Sequence, residues 1–366
     1  MTKAIDINIQ RLFTLLRLAL CDNSCKQDIF KNITAQDWLH IYDIALEQGV
    51  LAVVYDGIQK LDDSFTPEIE TKIQWAYNVN HIEKIYSKQV AVATKLTKLF
   101  AEHDITTLIL KGLSTASLYP IPSHRSSGDI DVYLMGKYDD ANALATTMGK
   151  SVQCDYFVHS EFMFEGINIE NHRYIVNPAV NRYASYIEQV LEDMVTDNSP
   201  HPTIENARIS SAEFAILFYL RHASWHFARE SVRLRDICDW AMILKQYSDS
   251  VAWNNLLQII GKANLTRFAS IITSVTASVL GLDYTNLFTD KYEQLSARVL
   301  EDILTFQNPQ KHKKIGFVRA FIEKIHNRIS RKWCYDLVVP DSYWGNIWHS
   351  IKGYISNPQA IKRAKL

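Results

Sequence analysis

The sequence predicts an α+β fold: a small mixed sheet flanked by helical N- and C-terminal lobes. Three observations carry this. Apolar residues recur at helical spacing from about residue 7 to 103, short β-rich runs divided by turn residues fill 104–176, and helical spacing returns from about 179. A period near 3.6 marks one face of a helix, and a period of two marks a half-buried strand. The expected organisation is a helical lobe at 1–103, an α/β core at 104–178 and a second helical lobe at 179–366.

In the first lobe, Ile9, Leu12, Phe13 and Leu16 share one helix face. Trp38, Leu39, Ile41, Tyr42, Ala45 and Leu46 build a second helix behind Thr34, a residue suited to an N-cap. The stretch from Pro67 to Glu102 has no internal Gly or Pro and carries Ile73, Tyr77, Ile82, Ile85, Val92 and Leu96, so one long helix is expected. In the core, strands are expected at 106–110, 129–134, 156–164 and 167–175, with helical segments near 112–118 and 138–148. Such an order makes a mixed sheet with helices on one face. From 179 onward the helical period is expected to continue through 211–227, 232–246, 253–263, 267–280, 292–306 and 316–333.

Composition narrows the function classes. A chain of 366 residues that is 47% hydrophobic and 22% charged is neither disordered nor collagen-like. With 39 Lys+Arg against 40 Asp+Glu there is no whole-molecule field to attract nucleic acid, which is therefore not an expected partner. Cys21, Cys25, Cys154, Cys238 and Cys334 form no CxxC pair, which argues against a disulfide framework or structural zinc and fits a reducing cytoplasm. The apolar run from Leu12 to Leu20 is broken by Arg17 and reads as an amphipathic helix rather than a signal peptide. No run approaches the roughly 20 apolar residues that span a bilayer.

The chemistry concentrates in two segments, Leu108-Ile-Leu-Lys-Gly-Leu-Ser-Thr and Arg125-Ser-Ser-Gly-Asp-Ile-Asp-Val-Tyr. Alternation along a strand puts Asp129 and Asp131 on one face. Adjacent carboxylates repel, and a divalent cation such as Mg²⁺ relieves them while keeping open positions for phosphates. On the later strand Asn168, Glu170, His172 and Tyr174 share a face, so Glu170 is the expected third carboxylate, with Asp155, Glu161 and Glu165 as rivals. His172 reads either as a strand-face residue bonded to a neighbour or as a base. Gly112 at a strand-to-helix turn lets the backbone approach a phosphate, with Ser114 and Ser117 beside it and Lys111 and Arg125 as cations.

Gly112 with Ser114, then Gly128-Asp129-Ile130-Asp131, then a strand bearing Glu170 resembles the polymerase-β-like nucleotidyltransferase superfamily. Leu110-Lys111-Gly112, Tyr119-Pro120, Arg125 and Glu170-Asn171-His172 resemble more narrowly a branch of uncharacterised bacterial nucleotidyltransferases linked to surface-polysaccharide gene clusters. The resemblance implies a nucleotidyltransferase-type sheet and Mg²⁺-dependent transfer of a nucleoside monophosphate from a nucleoside triphosphate, releasing pyrophosphate. The acceptor would be a small molecule, such as a sugar or sugar phosphate, or a protein. Asp129, Asp131 and Glu170 would hold two metal ions, and Lys111, Gly112, Ser114 and Arg125 the triphosphate. The alternative is a catalytically inactive nucleotide-binding or scaffold protein of the same fold.

Two further features stand apart. His222 and His226, at i and i+4, share a helix face and are expected to pack or to line an acceptor pocket, while Asp236 and Asp239 are expected to pack or to pair with Arg233 or Arg235, with facing that pocket as the alternative. Lys311 to Lys332 holds eight Lys/Arg and one acid and is followed by Trp333, Trp344, Trp348 and a basic tail, Lys362-Arg363-Ala-Lys365. A solvated helix face with the tryptophans packed inside is the first reading of this stretch, and peripheral contact with an anionic membrane or with nucleic acid the second.

Overall fold

The computed structural model describes residues 6–21, 26–154, 157–288, 290–305 and 329–338. Cys25, Asp155, most of the basic stretch from 311, Trp344, Trp348 and the basic tail lie outside the described residues. Four helices lead the chain: α1 (Ile7–Leu20), α2 (Ala35–Glu47), α3 (Leu51–Gln59) and the long α4 (Ile69–Ala101). Thr34 caps α2 as expected, in a reciprocal capping box with Asp37. The core follows as β1 (Thr107–Ile109), α5 (Leu113–Ala116), β2 (Ile130–Tyr133), α6 (Tyr138–Thr147), β3 (His159–Phe164) and β4 (Ile167–His172).

Then come α7 (Arg182–Met194), β5 (Asn198–Pro200), β6 (Ala207–Ser210), α8 (Ala212–Arg229) and α9 (Leu234–Tyr247). The described chain closes with α10 (Trp253–Lys262), α11 (Thr266–Leu280), α12 (Glu293–Leu304) and α13 (Lys332–Val338). The helical period expected without interruption from 179 is broken by β5 and β6. These strands complete a mixed six-stranded sheet in the order β3-β4-β2-β1-β6-β5. β6 runs parallel to β1, and β5 lies at the edge, where Pro200 costs no ladder hydrogen bond.

The sheet is an α+β scaffold with a distinct core on each side, so helices pack on both of its faces and not on the one face expected. One face packs Ile109, Ile130, Val132 and Ile169 against Val92, Leu96 and Phe100 of α4 and Ala141 and Ala145 of α6. On the other side Leu108, Leu110 and Tyr133 join a continuous apolar cluster that runs through both the N-terminal and the later helices. Arg17, the polar break in the first apolar run, donates to the carbonyls of Ser278 and Val279 at 2.6 and 2.9 Å and so meets the carbonyl end of α11. The β3–β4 hairpin turns at Glu165 and Gly166, φ +48° and +77°, as the twist of a tight two-residue connection requires.

Candidate active site

The site grows from β2 and β4, which run parallel in a register that sets Asp131 beside Glu170 and Ile130 beside Ile169. Parallel neighbours in register project to the same face. The isoleucines therefore enter the core under α4 while Asp131 and Glu170 turn to the other side. Asp129 lies just ahead of β2, and one carboxylate oxygen from each of Asp129, Asp131 and Glu170 falls within 4.8 Å of the others.

Asp131 is fully buried, with Lys111 Nζ at 3.0 Å and His172 Nε2 at 3.2 Å, both on Oδ1. Its Oδ2 is buried and has no hydrogen-bond partner. Burial works against the Asp131 charge, but Lys111 and His172 overcome it and hold the carboxyl well below the usual range. Burial, with Asp131 adding to it, raises Glu170 above the usual range against the pull of His172. Burial likewise opposes charge on Lys111, which Asp131, Asp129 and Glu170 nonetheless push well above its ordinary value. An unpartnered buried carboxylate oxygen beside two further carboxylates is the donor set of a hard divalent cation, and these three residues fit one.

Lys111 and Gly112 follow β1 directly. Gly112 sits at φ +63°, ψ −100°, and a Cβ there would lie 2.9 Å from Ser127 Oγ, so both backbone and space call for glycine. Ser114 Oγ donates to the carbonyl of Ile109 at 2.7 Å, tying α5 to β1. Leu113 buries its side chain in the core under the sheet. Arg125 makes a buried two-pronged pair with Asp239 of α9, Nε to Oδ1 at 2.8 Å and an Nη2 to Oδ2 at 2.7 Å, and the Tyr119 hydroxyl donates to the same Oδ1 at 2.7 Å. Asp239 therefore pairs with Arg125, not with Arg233 or Arg235. Asp236 accepts the Arg233 backbone N–H at 2.8 Å and stands 3.6 Å from Arg235.

A cavity of about 510 Å³ opens between this sheet end and α8–α9, lined by Lys111, Gly112, Ser114, Arg125, Asp129 and Asp131, with Phe218, Tyr219, His222, His226 and Asp236 across from them. Glu170 is not on the cavity wall, although one of its carboxylate oxygens lies within 4.8 Å of those of Asp129 and Asp131. The His222 and His226 rings lie 4.4 Å apart on the cavity side of α8, and burial pushes both below the ordinary histidine value. Among the rivals of Glu170, Glu165 sits in the hairpin turn and pairs with Lys95 of α4 at 2.7 Å, and Glu161 stands opposite Glu170 on β3. Participants absent from the sequence-derived set include Phe218 and Tyr219 on the cavity wall, Ser127, which flanks Gly112, and His159, the cross-strand neighbour of His172. His159 was discoverable as the residue two before Glu161, hence on the same strand face.

A crystal structure of an antigenic nucleotidyltransferase-like protein from Paracoccidioides brasiliensis is 13% identical, with a TM-score of 0.33 over 55% of this chain and 96% of that one. The crystal structure of the Megavirus polyadenylate synthase is 10% identical, with a TM-score of 0.28 over 59% of this chain and 38% of that one. No curated protein matches. Among the described residues no helix is long and apolar enough to cross a membrane. The family model of uncharacterised nucleotidyltransferases matches residues 34–281, more than half the chain, and takes in the Lys111-Gly112 turn, the Asp129-x-Asp131 strand and Glu170; the chain belongs to that family.

Proposed function

We propose that the protein transfers a nucleoside monophosphate from a nucleoside triphosphate to a small-molecule or protein acceptor in a divalent-cation-dependent, in-line displacement that releases pyrophosphate, and that it is a polymerase-β-like member of its family. The observation that carries this is the buried, unpartnered Oδ2 of Asp131 with Asp129 and Glu170 around it, at the wall of a cavity large enough for a nucleotide. Asp129, Asp131 and Glu170 would hold Mg²⁺, which supplies charge neutralisation at phosphorus. Gly112 and the backbone N–H groups after it, with Lys111, would receive the phosphates, since the Ser114 hydroxyl proton is already given to Ile109.

The acceptor would enter from the α8–α9 wall, where His222 and His226 present neutral imidazoles. The polysaccharide-linked branch that the motifs resemble supports a sugar or sugar phosphate in that position. The division into lobes at 1–103, 104–178 and 179–366 and a cytoplasmic location belong to the same proposal, with β5 and β6 added to the sheet of the middle unit.

One observation favours the second reading, an inactive nucleotide-binding or scaffold protein: the Arg125 fork is spent on Asp239 and so is withheld from a triphosphate. Thermal melting with each of the four nucleoside triphosphates, with and without Mg²⁺, tests binding, because a ligand of the native state raises the melting temperature by mass action. Pyrophosphate release with candidate acceptors then separates the readings. A metal-dependent shift with turnover supports transfer, a shift without turnover supports the inactive nucleotide-binding reading, and no shift with any nucleotide overturns transfer and favours the scaffold.

A further inference from the structure

We propose that His159, Glu170 and His172 form a second cation site, distinct in ligand chemistry from the carboxylate cluster and suited to a transition-metal dication of the Zn²⁺ class. The inference deepens the reading above and rests on it at Glu170, the residue both clusters share.

One ligand atom from each of His159, Glu170 and His172 falls within 4.8 Å of the other two. The topology builds this set. β3 and β4 pair antiparallel with His159 opposite His172 and Glu161 opposite Glu170, so two imidazoles and two carboxylates share one sheet face across adjacent strands. The imidazole rings stand 5.2 Å apart. His172 Nδ1 lies 3.2 Å from the Tyr174 carbonyl and Nε2 3.2 Å from Asp131 Oδ1, both acceptors, so each nitrogen carries a proton and a cation at Nε2 would take the place of that proton. Nε2 is 3.6 Å from Glu170 Oε2 and 3.2 Å from Asp131 Oδ1. With that proton displaced, His172 has the arrangement of a ligating histidine, one nitrogen held by a backbone carbonyl and the other aimed at the cation.

The donor types decide which ion is favoured. Carboxylate oxygens alone suit Mg²⁺, whereas two imidazoles with one carboxylate suit Zn²⁺, Fe²⁺ or Co²⁺ and leave positions open for other ligands. Glu170 stands between the two sets, so a cation on the histidine side would share its carboxylate with a Mg²⁺ held by Asp129 and Asp131.

The test is a Co²⁺ titration of the full-length protein held in excess Mg²⁺, followed by visible absorption, with Zn²⁺ as competitor. The expected result is one Co²⁺ per chain, retained in Mg²⁺, displaced by Zn²⁺, and weakened at least about tenfold by His159→Gln, the lower bound for losing even an outer partner of a metal. X-ray absorption at the cobalt edge of the wild-type protein reads imidazole scattering directly and needs no variant. Displacement of Co²⁺ by Mg²⁺, absence of imidazole scattering, or indifference to His159→Gln overturns the inference. The Mg²⁺-dependent nucleotide shift is measured without Co²⁺, so the nucleotidyltransfer reading stands or falls on its own.

Discussion

Arg125 and Asp239, far apart in sequence, meet through two hydrogen bonds of 2.8 and 2.7 Å and tie the loop before β2 to α9. Both side chains are buried, and Tyr119 completes the shell of Asp239. Burial opposes the Arg125 charge, yet Asp239 raises it well above even its ordinary value. The pair fixes one edge of the cavity.

Breaking this pair from one side leaves a buried charge alone. Asp239→Ala is expected to cost about 3–5 kcal/mol in denaturant unfolding, while the double substitution Arg125→Met/Asp239→Leu recovers most of that loss. Equal losses in the single and double variants would show that the packing of the side chains, not the pairing of charges, matters here.

Gly112→Ala is expected to cost about 1–3 kcal/mol, because the residue must leave its positive φ or push Ser127 aside. The Mg²⁺-dependent triphosphate shift should vanish in the same variant. A retained shift would remove the turn from the nucleotide site.

Asp129→Asn and Asp131→Asn are both expected to lower turnover by more than about 100-fold, beyond the loss of an outer partner. Their stabilities should diverge. Asp129 is partly exposed, whereas Asp131 is the buried partner of Lys111 and His172, so only Asp131→Asn should lower the melting temperature in the absence of ligand. Unchanged turnover in both would exclude the carboxylate cluster as the active site.

Glu165→Gln against Glu170→Gln decides the third carboxylate. The exposed Glu165–Lys95 pair contributes about 0–1 kcal/mol and faces α4, so its loss should leave turnover intact. Glu170→Gln should abolish it, and the reverse outcome would reassign the role.

His124 bridges Asp56 of α3 and Glu83 of α4 at 2.9 and 3.0 Å. Burial opposes its charge, and the two carboxylates raise its pKa above the ordinary value. A raised histidine contributes stability that is complete below about pH 6.5 and is lost as pH rises through the folded-state value. As pH rises above about 6.5, His124→Gln should therefore lose less melting temperature than the wild type. Parallel pH profiles would dismiss the bridge.

The sequence by itself determined what depends on neighbours a few residues away. The uninterrupted helical period of α4, the Thr34 cap, and the alternation that puts Asp129 and Asp131 on one face are all local, and so were legible. Tertiary structure alone decided what depends on chain closure. β5 is three residues, Asn-Ser-Pro, with almost no strand propensity, and it exists because β6 pairs with β1 and offers it an edge. The partner of Arg125 lies on a distant helix among several candidate acids, and only packing chooses Asp239. His159 meets His172 through an antiparallel register set by a two-residue turn. Periodicity carries which face a side chain takes, but not which remote residue shares that face, because long-range pairing is selected by the burial and hydrogen bonding of the whole assembly.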